Sequence, residues 1–257
     1  MITLKKKQYD YIISLGGCCD VANQLKHRGL RPCAFPLDWT LMVDEKPLRY
    51  LPEGIRTRFK CLCVRKNMVE FQLPSREFGV ERHKFEDRAT GFRFIHHFSC
   101  PVENVDAFEK TRQILQRRIE RFFDTVSGSK NVLFVLSTVF PYEDELVKDI
   151  YMALAETFFE TKIALVAIQF SAAECKSYTM LDGNVCIKKC ERLRDDRYDT
   201  QFTAPEWKWM DDLSLVDRLS PANIRRKTIV KLKYKLWKWL GKSLERSGAA
   251  CVSMRFR

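Results

Sequence analysis

Hydrophobic and polar positions alternate along this chain with two periods, and the order in which those periods occur predicts a layered fold. Tyr9 to Leu15 is a short, apolar, β-branched-rich run and predicts a strand. Gly16-Gly17 follows as a tight turn, and Asp20 to Arg28 reads as a helix, with Val21, Ala22 and Leu25 on one side and Gly29 as its stop. Thr40 to Arg58 has weak periodicity and contains Pro47, Pro52 and Gly54, so it predicts loops and short helices, with Leu48 to Leu51 as one turn. Phe59 to Val64 and Met68 to Leu73 alternate loosely, as a hairpin around Arg65-Lys66-Asn67 would. Residues 74–91 are charged and turn-rich, a surface excursion or an active-site flap. Phe92 to Phe98, FRFIHHF, is a short aromatic strand.

The second half is clearer. Val105, Phe108, Ile114, Leu115, Ile119, Phe122 and Phe123 fall at helical spacing within Val105 to Val126, and Gly128 stops that helix. Asn131 to Leu136 is a continuous apolar run, the pattern of a parallel strand buried on both faces. Glu143 to Phe159 is amphipathic, Lys162 to Phe170 is a second buried strand, and Asn184 to Cys190 a shorter third. Arg192 to Met210 has no period and reads as a surface loop. Strand, helix, strand, helix, strand predicts an α/β three-layer sandwich with a mostly parallel sheet. It occupies residues 1–219, followed over 220–257 by a basic amphipathic helix that begins at Ser220-Pro221.

Composition refines this little. Hydrophobic content of 46% and charged content of 30% suit a soluble domain with a sizeable core. No apolar run approaches the roughly 20 residues that span a bilayer, and the basic N-terminus leads into a strand rather than a signal peptide. The ten cysteines lack a secreted-type framework, which points to a reduced, cytoplasmic setting. Cys61-x-Cys63 and Cys186-x-x-x-Cys190 have no matching second pair and no His at ligand spacing, so no metal site is predicted.

The net charge of +12 is concentrated near the end: between Arg225 and Arg246 there are nine Lys or Arg against Glu245 alone. Ile229, Leu232, Leu236, Trp239, Leu240 and Leu244 share a helical face there, edged by Lys231, Lys233, Lys235, Lys238 and Lys242, with Trp237 as a second aromatic. That pattern suits an in-plane helix on an anionic membrane surface, at the inner face of the membrane, or a helix docked on the domain with a solvated basic face. Nucleic acid is disfavoured, since no other nucleic-acid-binding motif accompanies the charge.

Candidate chemistry centres on Cys18 and Cys19, where a strand ends, a glycine turn swings and a helix begins. Backbone N–H groups and the positive end of a helix dipole favour a thiolate at such a place, and the same amides around Gly16, Gly17 and Cys18 could hold an oxyanion. Two small buried residues in a tight turn are the alternative reading. Of the four histidines, His27 lies two turns along the cysteine helix and reads as a surface group, and His83 lies in the charged excursion. His96-His97 ends the aromatic strand, where α/β sites gather, and alternation would turn one ring toward the site and the other away. Asp38 is a candidate to orient an imidazole, or else a partner for Arg31.

The motifs Ser14-Leu15-Gly16, Cys19, Leu25-Lys26, Gly29-Leu30-Arg31, Phe35-Pro36-Leu37-Asp38-Trp39 and Phe94-x-His96-x-Phe98 resemble those of a bacterial family described as papain-like cysteine peptidases. The resemblance implies Cys19 as nucleophile and His96 as general base, with no cofactor required. The family usually carries Asp after that His; His97 stands there in this chain and is the alternative base. The element order is also similar to α/β esterase and acyltransferase sandwiches with Cys in place of Ser, and capsule-polysaccharide acetyltransferases with a Cys–His pair have a similar layout. Cys–His chemistry through an acyl-enzyme serves a peptidase acting on peptides, an esterase, or a membrane-associated acyl- or glycosyltransferase of cell-surface polysaccharide synthesis using a donor such as acyl-CoA. A binding module with no enzymatic role is the remaining alternative.

Overall fold

The computed structural model describes residues 8–17, 19–71, 83–172, 176–181, 183–191 and 205–215. Contacts divide the chain into a unit over 1–216 and a second over 217–257; the second lies outside the described residues, and with it Lys231, Lys235, Trp237, Lys238, Trp239 and the expected basic helix. Among the described residues no helix is long and apolar enough to cross a membrane.

The first unit is mixed α/β with a mostly parallel sheet. The Tyr9–Leu15 run divides at Asp10 into β1 (Gln8–Tyr9) and β2 (Tyr11–Ser14). The break has a cause: the Asp10 carboxylate accepts from the backbone N–H groups of Lys130 and Asn131, at 2.6 and 3.1 Å. It thereby ties the start of β2 to the start of β7 (Asn131–Thr138). β2, β7, β8 (Lys162–Ala172) and β10 (Val185–Glu191) lie side by side and parallel. β9 (Lys176–Met180) closes the edge antiparallel to β10, a strand the sequence pattern did not reveal.

Strand alternation splits the apolar residues of this sheet between two cores. Val132, Phe134 and Leu136 of β7 join one core, while Leu133 and Val135 join the other. The larger core lies under α2 (Lys46–Arg56), α3 (Val105–Ser127) and α4 (Asp144–Thr157). The smaller one lies under α1 (Cys19–His27) and a 3-10 helix over Pro205–Asp212. Over its described end, from residue 205, the expected surface loop is this 3-10 helix instead; residues 192–204 of it lie outside the described residues. Trp207 and Met210 are 1% and 0% exposed, Trp207 packs on the Phe170 ring, and Arg28 at the end of α1 pairs with Asp211 at 2.7 Å.

Two further expectations change. Residues 46–56 form an 11-residue helix through Pro52 rather than one turn, because Leu48, Leu51 and Ile55 are all buried and α2 packs against α4. The hairpin around Arg65-Lys66-Asn67 is absent: residues 65–67 are a 3-10 turn, and Arg58, Phe59 and Cys63 take positive φ, which no strand permits. A second, four-stranded antiparallel sheet forms instead, in the order β3 (Thr40–Leu41), β6 (Arg93–Phe98), β5 (His83–Asp87), β4 (Met68–Glu70). The end of the expected 74–91 excursion is therefore strand β5 and its turn; residues 74–82 lie outside the described residues.

α3 joins the two sheets through aromatic packing. Its Asn104 cap accepts from the Ala107 N–H at 3.1 Å, and Phe108 stacks on Phe98 of β6 with centroids 5.1 Å apart. Phe122, 1% exposed, meets the rings of Phe35, Phe59, Phe134 and Phe158 at centroid separations of 5.9 to 6.3 Å. Phe122→Ala should lower the unfolding free energy by about 3–5 kcal/mol in urea titration, as loss of a fully buried phenyl ring does. A loss below about 1 kcal/mol would mean that the cluster collapses freely and does not hold α3.

Candidate functional site

The glycine turn after β2 is seated between two parts of the fold. Gly16 and Gly17 have φ of +85° and +106°, in the region that favours glycine. Ser137 N–H donates to the Gly16 carbonyl at 3.3 Å, and Met42 N–H donates to the Gly17 carbonyl at 2.9 Å. A methyl group on Gly17 would fall 1.3 Å from the Ser137 carbonyl oxygen, and one on Gly16 would fall 2.8 Å from Thr40 Oγ1. The turn thus lies on the end of β7 on one side and on residues 37–42 on the other. Cys19 follows as the first residue of α1 and is 7% exposed, while Cys18 lies outside the described residues. A thiol at the first position of a helix meets the unpaired N–H groups of the first turn.

Other described cysteines have different surroundings. Burial pushes the Cys63 thiol up to about 12. Burial also raises Cys33, against the downward pull of the Arg121 and Arg31 guanidiniums. Cys61 is exposed.

Asp38 is 1% exposed, and its partners are local. Arg31 reaches one carboxylate oxygen through Nε at 2.8 Å and Nη2 at 2.5 Å, and Phe35 N–H donates to the same oxygen at 2.8 Å. Burial pushes the Asp38 carboxyl above the ordinary carboxylate range, and Arg31 and the Phe35 amide pull it back. Arg31 in turn lies over the Trp39 ring, 5.2 Å from its centroid. The PLDW motif is thus held by a fork of arginine donors on a buried carboxylate.

His96 and His97 do not alternate as a regular strand would require. Opposite β5, His83 pairs with Phe98 and Phe85 with Phe94, so β6 takes four steps where β5 takes two. The two extra residues form a bulge within Ile95–His97, just beyond the Thr40–Phe94 pair that joins β3 to β6. Both imidazoles consequently line one cavity of about 350 Å3, with Trp39, Thr111, Ile114 and Arg118. The expectation of opposite faces is overturned by this bulge. His96 meets the Trp39 ring edge to face at 6.0 Å, and His97 meets Phe94 at 5.2 Å. Arg118 Nη1 approaches His97 Nε2 at 3.5 Å; a guanidinium can only donate, so this ring nitrogen accepts. His27 is exposed at the end of α1, and His83, on β5 rather than in a loop, contacts Glu70 at 2.6 Å.

Cys19 and His96 therefore sit on segments that both adjoin residues 37–42: the glycine turn rests on them, and β6 pairs with β3 within them. The family described as "Putative papain-like cysteine peptidase (DUF1796)" matches residues 10–170, from β2 to β8. The chain belongs to this family. The match spans the glycine turn, Cys19, the PLDW segment, both histidines and Arg118, and ends before β9 and β10. No curated protein and no solved structure matches the chain.

Sequence reasoning missed Arg118 and Thr111, and it placed Ile114 with the apolar positions of α3, whereas Ile114 is 42% exposed at the cavity. Their 111, 114, 118 spacing on α3 was visible as a helix face, but nothing in the pattern told which strand that face would meet.

Gly17→Ala should destabilise the fold by roughly 2–5 kcal/mol, the sum of left-handed backbone strain and overpacking against Ser137. A shift in urea midpoint equivalent to less than about 1 kcal/mol would show that the turn can lift off β7. Asp38→Asn should cost about 3 kcal/mol, because it leaves the largely buried Arg31 guanidinium without its charge partner. Unchanged stability with lost activity would instead mark Asp38 as acting on the chemistry alone.

Proposed function

We propose that this protein is a hydrolase in which Cys19 attacks an acyl carbon while His96 takes the thiol proton and returns it to the departing amine or alkoxide as the acyl–N or acyl–O bond breaks, and water, deprotonated by His96, then cleaves the acyl-enzyme to the acid and the free thiol. The observation that carries the reading is the setting of Cys19 in a chain of this family: first residue of a helix, two residues after a glycine turn pressed onto the end of a parallel strand. That setting is chemically suited to a thiolate, through helix-terminal N–H groups and the dipole. The same N–H groups suit the oxyanion of the tetrahedral intermediate. His96 is preferred to His97 as the base because His97 Nε2 faces the Arg118 guanidinium. Asp38, already engaged by Arg31 and the Phe35 amide, acts in this reading by fixing the segment under Trp39 and not by orienting an imidazole. The framework is a three-layered α/β sandwich, and the balance of hydrolysis against acyl transfer then depends on whether water or another acceptor reaches the acyl-enzyme.

Labelling with iodoacetamide at neutral pH, read by peptide mass spectrometry, tests the nucleophile. Cys19 should alkylate at least about tenfold faster than the exposed Cys61 despite its burial, as an activated thiolate does. Hydrolysis of p-nitrophenyl acetate and of unfolded casein should vanish in Cys19→Ala and fall by about 100-fold or more in His96→Ala, the range expected of a lost general base. Faster labelling of Cys61 than of Cys19, with hydrolysis unchanged in Cys19→Ala, would sink the proposal.

A further inference from the structure

The cavity between β6 and α3 has an excess of positive charge that the proposed chemistry does not use. Arg118 projects from α3 into it, half-buried, beside Thr111 and Ile114 of the same helix face. The charges that act on Arg118 are those of Asp38, Arg31 and Arg121, three guanidiniums in all against one carboxylate. Asp38 is already bonded to Arg31, and Arg121 donates to the Ala34 carbonyl at 3.0 Å. Among the described residues no carboxylate lies within 4.0 Å of Arg118, whose hydrogen-bonding neighbour is the neutral-accepting Nε2 of His97. Burial pulls the Arg118 guanidinium below its ordinary value, yet an arginine remains charged in any protein. A cation held half out of water with no anion within ion-pair distance among the described residues is placed at a desolvation cost, and a ligand anion would offset that cost.

Apolar surface comes from two sides: Trp39, held under Arg31, and Ile114, which stands beside Arg118 on α3 and is 42% exposed at the rim. We infer that this cavity binds an anionic group of a small ligand, a carboxylate or a phosphate, with the Arg118 fork on its oxygens, the Thr111 hydroxyl beside them and the ligand's apolar part against Trp39 and Ile114. A planar guanidinium suits the paired oxygens of either group. The site itself stands independently of Cys19. Its consequence for catalysis, that an acid-bearing substrate would be oriented beside His96, rests on the hydrolase reading above.

Titration calorimetry of the full chain at low salt tests the inference, with N-acetylaspartate, uncharged N-acetylasparaginamide and inorganic phosphate as probes. At least one anion should bind and the neutral amide should not. Arg118→Gln should weaken binding about tenfold or more, as loss of one charged hydrogen-bonding partner does. Ile114→Glu, at an exposed rim position that does not threaten folding, should weaken it similarly by placing a carboxylate at the mouth. Cys19→Ser should leave it unchanged, so that binding can stand even if no hydrolysis is found. Tighter binding of N-acetylaspartate assigns the site to a carboxylate, and tighter binding of phosphate assigns it to a phosphoryl group. Absence of binding for both anions at millimolar concentration, or equal affinity in wild type, Arg118→Gln and Ile114→Glu, overturns it.

Discussion

The close approach of Gly17 to the Ser137 backbone is the constraint on which the candidate site depends. No side chain fits between that turn and the end of β7, so the chain must leave β2 by a left-handed glycine pair and enter α1 at once. This fixes where α1 begins and places Cys19 at its first position. The same turn presents its second carbonyl to Met42, which couples the main sheet to the segment leading into the small antiparallel sheet. One backbone contact therefore positions the cysteine and, through residues 37–42, the strand that bears the histidines.

Asp38 holds that linking segment. A carboxylate 1% exposed is tolerable there because a guanidinium and a backbone amide satisfy one oxygen together. Arg31, drawn to Asp38, also covers the Trp39 ring, so the ion pair and the aromatic wall of the cavity form a single unit. The bulge in β6 then acts on the other side. Two extra residues against β5 bring His96 and His97 round to the same cavity, and the stacking of Phe98 on Phe108 brings α3 with Arg118 up to it. Charge, aromatic surface and imidazole meet in one place because of a register irregularity, not because their sequence positions are close.

The parallel sheet and its two long helices were legible from the chain alone. Continuous apolar runs at 131–136 and 162–170 must be buried on both faces, and the 3.6-residue period of α3 and α4 is unambiguous. Family membership was legible too, in the motifs around Cys19, Asp38 and His96. The small sheet was legible only in part: the FRFIHHF run is strand β6 and the start of the Met68 to Leu73 run is β4, but β5 was hidden in a charged stretch and the two-residue β3 pairs with β6 far along the chain, Thr40 opposite Phe94. Residues 59–63 looked strand-like by alternation but bury Phe59, Leu62 and Cys63 from an irregular turn. Trp207 lay in a stretch without period, and only the exposed apolar face of the main sheet gave it a place to bury.

By itself, then, the sequence determined the strand, glycine turn and cysteine helix, since those are local matters of propensity and φ. It determined the buried strands, since hydrophobic runs of that length have one comfortable environment. The Asp38–Arg31 pair, seven residues apart, is a local alternative the sequence had left open; tertiary structure alone decided that both histidines face one cavity and that Arg118 joins them. Each of those depends on where two segments far apart in sequence come to lie, and strand register and packing, not local pattern, set that distance.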